Sequence, residues 1–252
     1  MPSTNVPSQP ATNPPASEPP ASDTRPPGLR NPYQPEPASH RRPPETCRGR
    51  TFVVGVSGAS GAAYALGVLE QLLLAGAEVH AVVSEYGQRL LFDEAGIKRV
   101  TLEDLLPGLA GSDAGADCRS RLICHPNKDV GAVIASGSFL HDGMAVVPCS
   151  STSLGAMASG AGSNLLTRAA MVTLKERRPL VVVHRESPVN LIDIENMRTL
   201  ALAGAVIAPA NPGFYLGPTT VQEVIDFTVG KVLDLLGVEH NLKTRWANHG
   251  SA

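Results

Sequence analysis

Apolar and polar positions fall in blocks along the chain, and the blocks switch between a strand period and a helix period. An apolar, β-branched run that stops in small residues predicts a strand over 51–57. Leu66, Leu69, Leu72 and Leu73 then share one helical face, which predicts a helix over about 62–75. The same alternation continues with a strand over Glu78–Ser84 and a helix over about 86–95. Periodicity fades over 101–128, where Pro107, Gly108, Gly111 and Gly115 interrupt it. Val130–Ala135 is a short apolar run that stops at Ser136-Gly137-Ser138-Phe139. Met144–Pro148 predicts a further strand, followed by a helix from the Cys149–Ser153 turn to about Ser159. Asn164 reads as the N-cap of a helix over Leu165–Arg178 that Pro179 stops. A strand over Leu180–His184, a helix over Ile192–Ala203 capped by Gly204, a strand over Ala205–Ala208 and a helix over Val221–Leu236 complete the pattern. Strands alternating with helices predict an α/β fold: a Rossmann-like, doubly wound parallel sheet in three α/β/α layers, forming a single domain.

Composition changes that picture at one end. Fourteen of the 22 prolines lie in residues 1–44, with Tyr33 the one aromatic there. Such a segment buries too little apolar surface to offset its ordering entropy, so residues 1–48 are expected to be a disordered, proline-rich tail. The domain is then expected over 49–247, with a short tail at 248–252. The tail has no signal-peptide core, and its acidic residues Glu18, Asp23, Glu36 and Glu45 argue against a transit peptide. No run approaches the roughly 20 apolar residues of a membrane span. A net charge of −2, no basic stripe and 4% aromatics argue against nucleic acid as a partner. Cys47, Cys118, Cys124 and Cys149 form no disulfide framework, which fits a reducing, cytoplasmic setting. Cys118, Cys124 and His125 match no common zinc spacing, and no metal site is expected.

The strand ends carry the candidate chemistry. In an open parallel sheet, ligands bind outside the carboxyl ends of the strands. Those ends are expected to be Ser57–Gly61, Ser84, Ser136–Ser138, Cys149–Ser153, Arg185-Glu186 and Asn211–Tyr215. Each supplies hydroxyls, charge or glycine directly after an apolar run. Ser57-Gly58-Ala59-Ser60-Gly61 sits in a strand–turn–helix layout that suits phosphate, without the spacing of a dinucleotide fingerprint or a P-loop. By itself it fits a phosphate-bearing ligand or a ligand-free βα turn. Taken together, the six ends form a rim that suits a ligand with phosphate and polar ring atoms, such as FMN.

Arg185 can fork onto a phosphate, and Glu186 can move a proton if its pocket is dry. The pair equally suits a structural ion pair. Lys175, Arg177 and Arg178 lie at a helix C-terminus, where cations are favoured in any case. Tyr215 follows a proline-glycine loop and is either a phosphate partner or an amphipathic core residue. Lys231 falls inside the last helix, where lysines usually face solvent. Cys149 precedes a serine-rich helix start, but no histidine is placed by sequence to activate it, so a small buried residue is expected.

The ordered set of blocks resembles the UbiX-type flavin prenyltransferases. It comprises Gly55–Gly61, Ser136–Phe139 with Gly143-Met144, Pro148–Ser150, Leu166–Ala170, Leu174–Leu180 and Arg185–Pro188. It continues through Asn196-Met197, Gly204–Ile207 with Pro209, Phe214-Tyr215 and Arg245-Trp246. The resemblance covers about residues 51–247 and excludes the tail. It implies transfer of a dimethylallyl group from dimethylallyl phosphate to N5 and C6 of reduced FMN. The product, prenylated FMN, is the cofactor of UbiD-type decarboxylases. It implies no metal, and a homo-oligomer, usually a dodecamer, with sites at subunit interfaces. By motif, Gly58, Ala59, Ser60, Ser84, Ser150, Ser151, Thr152, Ser153 and Arg185 would bind flavin. Tyr215, Lys231, Lys175 and Glu186 would bind the prenyl phosphate, with Glu186, Lys175 and Ser60 as the catalytic candidates. Two departures stand out. Where the family commonly has Ser-x-Lys-Thr, this chain has Ser150-Ser151-Thr152-Ser153, and Ser163-Asn164 replaces Asp-Asn or Asp-Gly. Two other functions remain open on sequence. One is an FMN-dependent cysteine-type decarboxylase on the same fold, for which His80 and His141 are the nearest histidines. The other is a non-catalytic flavin-binding subunit of a decarboxylase.

Overall fold

A computed structural model describes residues 46–242 and Thr244. The expected tail up to residue 45, Arg245-Trp246 and residues 248–252 lie outside the described residues. Cys47, placed by sequence at the end of the tail, is fully buried, and its amide donates to the Ala75 carbonyl.

Six strands form one parallel sheet: β1 (Thr51–Val56), β2 (Glu78–Val83), β3 (Leu122–Pro126), β4 (Gly143–Cys149), β5 (Leu180–His184) and β6 (Val206–Ile207). Their order is β3-β2-β1-β4-β5-β6, every neighbouring pair parallel. The order reverses between β1 and β4, and that switch point is where a doubly wound sheet opens a crevice. Nine helices are described: α1 (Ala62–Leu74), α2 (Glu85–Ala95), α3 (Leu102–Leu105), α4 (Pro107–Ala110), α5 (Gly115–Arg121), α6 (Ser151–Ala158), α7 (Leu165–Lys175), α8 (Leu191–Ala203) and α9 (Val221–Leu235).

Both faces of the sheet are covered, which is why its strands read as continuous apolar runs. Phe52, Val54, Val56, Val181 and Val183 face one core with Leu66, Leu69 and Leu73 of α1 and Val229 and Leu233 of α9. Val53, Val82, Met144, Val146 and Val182 face the other with Leu154 of α6, Leu165 and Leu166 of α7 and Leu200 of α8. Packing there is tight: a Cβ on Gly55 would lie 3.1 Å from Leu166 Cγ.

Two expectations change. The third strand is Leu122–Pro126, inside the stretch expected to be irregular, and Val133–Ala135 is a single 3-10 turn. The strand was hard to see because it is an edge strand, half-buried over its first four residues and closed by an exposed proline that an edge tolerates. Val133 is exposed while Ile134 and Ala135 pack down, so the apolar run covers the sheet rather than joining it. The helix expected to reach Arg178 ends at Lys175, because Arg177 turns left-handed at φ 58°. That turn sends the Arg178 guanidinium onto the carbonyls of Gly137 (2.7 Å) and Phe139 (2.6 Å).

Candidate active site

The carboxyl ends of β1 and β4 meet in a lattice of hydroxyls. The Ser57 hydroxyl, fully buried, donates to the Pro148 carbonyl (3.0 Å) and accepts from the Ser150 amide (2.8 Å). Ser150 Oγ caps α6 by accepting from the Ser153 amide (3.3 Å), and it lies 3.3 Å from both Ser57 Oγ and Ser153 Oγ. Thr152 is exposed on the first turn of α6. The position where the resembling family often carries lysine therefore faces outward.

The turn after β1 holds its shape by packing. A Cβ on Gly58 would lie 2.4 Å from Tyr86 Cβ, so this glycine lets α2 approach rather than a ligand. Gly61 has φ 127°, a left-handed conformation that glycine alone adopts without strain, and gives α1 no side-chain cap. Glu94 of α2 fills that role: its Oε2 accepts from the Gly61 (3.0 Å) and Ala62 (2.8 Å) amides. A carboxylate is favourable at a helix N-terminus. The Gly58 and Ser60 amides have no protein acceptor among the described residues. Ser84 caps α2, its Oγ accepting from the Gly87 amide (3.0 Å), which leaves its proton free to be donated.

Arg185 and Glu186 follow β5 on the same rim. The Arg185 amide donates to the Cys149 carbonyl (3.2 Å), which fixes the turn. Arg185 Nε is buried without a protein partner. A buried guanidinium nitrogen without an acceptor is costly, and an anion or carbonyl of a ligand removes that cost. Glu186 is exposed and accepts from the Ser187 amide (3.1 Å). Unpaired rim amides, clustered hydroxyls and the orphaned Arg185 Nε together fit a phosphate-bearing flavin. Burial pushes the Cys149 thiol well above its ordinary value, so it is no nucleophile.

The remaining candidates separate into two groups. Tyr215, in the 3-10 turn Phe214–Leu216, packs against α9, the helix that carries Lys231. The Tyr215 ring meets Phe227 edge-on at 5.9 Å, and its hydroxyl donates to the Thr244 carbonyl (3.4 Å). Phe227 and Lys231 are four residues apart on one face of that helix. Lys175 goes elsewhere. It lies at the end of α7, before β5 begins, and pairs with Glu176 beside Gly137. The hydrogen bond from Lys175 holds the Glu176 carboxyl below its ordinary value. Glu186 lies beyond the other end of β5, so within one chain the sheet's depth separates Lys175 from Glu186. The expectation that the two complete one phosphate site does not hold inside a single copy. Ser136–Ser138 also belongs to the Lys175 side, tied to Arg178, and is not a carboxyl strand end. His80 and His141 are scaffold: His80 bonds His125 (2.8 Å) and Glu78 (3.0 Å), and His141 bonds the Gly143 carbonyl (3.2 Å).

The Flavoprotein family model matches residues 40–234. Flavin prenyltransferase UbiX of Halalkalibacterium halodurans is 43% identical over 195 residues, covering 77% of this chain and 92% of its own length. The chain belongs to the UbiX flavin prenyltransferase family. Among solved structures, AnUbiX (PadA1) in complex with FMN and dimethylallyl pyrophosphate superposes on a UbiX-family core with TM-score 0.70 and 36% identity, covering 79% of this chain and 98% of that one. A dodecameric FMN-dependent UbiX-like decarboxylase from Escherichia coli O157:H7 matches with TM-score 0.68 and 35% identity, covering 79% of this chain and all of that one (100%). As a UbiX-family member the chain is a flavoprotein, and its flavin is FMN. One residue that shapes the rim, Glu94, escaped the sequence reading. Glu94 had one faint signal, a helix α1 with no capping side chain of its own.

Proposed function

We propose that the chain joins a dimethylallyl group from dimethylallyl phosphate to reduced FMN, making prenylated FMN for a UbiD-type decarboxylase. Its four free cysteines suit a reducing, cytoplasmic setting. The observation that carries the proposal is the orphaned Arg185 Nε beside the hydroxyl lattice at the β1/β4 switch point, in a chain of this family. FMN supplies, when reduced and bound, the nucleophilic N5 and C6. The chain's own residues do the rest. The Gly58 and Ser60 amides, Ala59, the Ser60 hydroxyl, Ser84, Ser150–Ser153 and Arg185 hold and orient the flavin. Tyr215 and Lys231 hold the prenyl phosphate. Lys175 stabilises the departing phosphate, and Glu186 handles the proton it takes up. An allylic phosphate ionises only where preorganised cations and hydrogen bonds meet the leaving anion.

Lys175 and Glu186 lie beyond opposite ends of β5, five residues long and roughly 17 Å from end to end. One phosphate therefore needs Lys175 from a second copy of the chain. A homo-oligomer supplies it, and the dodecameric relative supports that arrangement.

The test is anaerobic incubation of the purified chain with reduced FMN and dimethylallyl phosphate, followed by mass analysis of the flavin. A gain of one prenyl unit is expected, and faster with the monophosphate than with the diphosphate. Flavin unchanged with both donors would overturn the proposal.

A further inference from the structure

Four serine hydroxyls crowd the rim between β1 and β4, and three are committed to one another. Ser57, Ser150 and Ser153 form the lattice described above. Ser151 stands apart, with its Oγ 3.3 Å from His184 Nε2. His184 closes β5, is 2% exposed, and pairs across the sheet with Cys149. Ser151 is its one side-chain partner among the described residues. The other buried histidines are held on both ring nitrogens by scaffold. His80 bonds His125 and Glu78, His141 bonds Gly143 and Thr173, and His240 bonds Asp234 and Leu242. His184 alone among these holds a hydroxyl at a ligand rim.

The imidazole decides what that hydroxyl can do. A bare Nε2 accepts the Ser151 O–H as a hydrogen bond and leaves only the Oγ lone pairs facing outward. An Nε2–H donates to Oγ and leaves the Ser151 proton free for a ligand. FMN offers chiefly oxygen acceptors, on its phosphate and ring carbonyls. We propose that His184 is a positioning residue of the FMN site, keeping its proton on Nε2 and so turning Ser151 into a donor to an FMN oxygen. The proposal rests on the assignment of the 150–153 turn to FMN. It makes His184, not Cys149, the functional member of the β4/β5 pair at the rim.

Oxidised FMN, titrated into the full chain and followed by flavin fluorescence, tests it. Ser151→Ala should weaken binding about fivefold, the loss of one oriented hydrogen bond. His184→Phe, which fills the space without a donor, should weaken it by the same factor. The double variant should be no weaker than either single one. His184→Gln, whose amide can donate to Oγ, should bind within about twofold of wild type. Binding by His184→Phe equal to wild type, or losses that multiply in the double variant, would overturn the proposal. Nitrogen-15 imidazole shifts of FMN-bound wild type test it without a variant. A protonated Nε2 is expected, and a bare Nε2 overturns it. A wild-type chain that binds no FMN overturns the FMN assignment as well, a result distinct from either.

Discussion

Arg185 and Glu186 are chain neighbours with different duties because their surroundings differ. Arg185 puts Nε inside the protein, and Glu186 keeps its carboxylate in the open. A group that only helps the leaving phosphate affects the chemical step without affecting flavin binding. Glu186→Gln should therefore leave the FMN dissociation constant within about twofold and slow prenyl transfer about a hundredfold, as for a lost proton-handling group. Single-turnover flavin mass analysis beside a binding titration checks both halves. Glu94 acts differently, through the backbone. It satisfies two α1 amides, so Glu94→Ala should cost about 1 kcal/mol and lower the melting temperature by about 2–4 °C. The serines and Arg185 were legible in the sequence because polarity right after an apolar run marks a strand end. Glu94 and His184 were not. Each matters through a residue on a different element, 33 positions away in both cases, and no local pattern encodes such a crossing.

At the scale of elements, the strands and helices that fill the two cores were legible from their apolar periods, because burial on both faces enforces those periods. The third strand was hidden by its edge position, and the α7 terminus by a left-handed Arg177 whose purpose is to aim Arg178. Helices α1 and α9 carry a consequence of close packing. A Cβ on Gly67 of α1 would lie 2.7 Å from Val229 of α9, so the helices nearly touch there. Glu70 lies one turn on, and its carboxyl is pushed up to about 7, first by burial and then by the Asp226 charge on α9. Asp226 is raised too, chiefly by burial. A carboxyl raised in the folded state binds its proton more tightly there than when unfolded. Its deprotonation therefore destabilises the fold, progressively as pH rises from about 4.5 to about 7. Glu70→Gln should raise the melting temperature at pH 8 and leave it almost unchanged at pH 4. Thermal unfolding of both proteins across that range checks the sign, and equal slopes would remove Glu70 as the cause.

For the molecule as a whole, the decisive fact is that β5 keeps Lys175 and Glu186 at its two ends. The family resemblance put both in one candidate site, and only ten residues of turn and strand separate them along the chain. The crossover from α7 into β5 undoes that proximity, because a helix returning along the sheet ends at the edge opposite the strand's carboxyl end. A site that needs both groups must then be built from two copies, and closed symmetry repeats that junction around the assembly. The arrangement predicts complementation. Lys175→Ala and Glu186→Gln should each be nearly inactive alone. Co-expressed, they form mixed assemblies in which some junctions take Lys175 from one copy and Glu186 from another. With random mixing in equal amounts, about a quarter of the junctions carry both native residues, and activity should return to about that fraction of wild type. A site contained within one chain gives no such recovery, because every copy lacks one of the two groups. Purifying the mixed assembly through two different affinity tags, one on each variant, and measuring prenyl transfer distinguishes the two arrangements. Activity no higher than that of either parent would overturn the two-copy site, and full activity of Lys175→Ala alone would return Lys175 to its helix-end ion pair with Glu176.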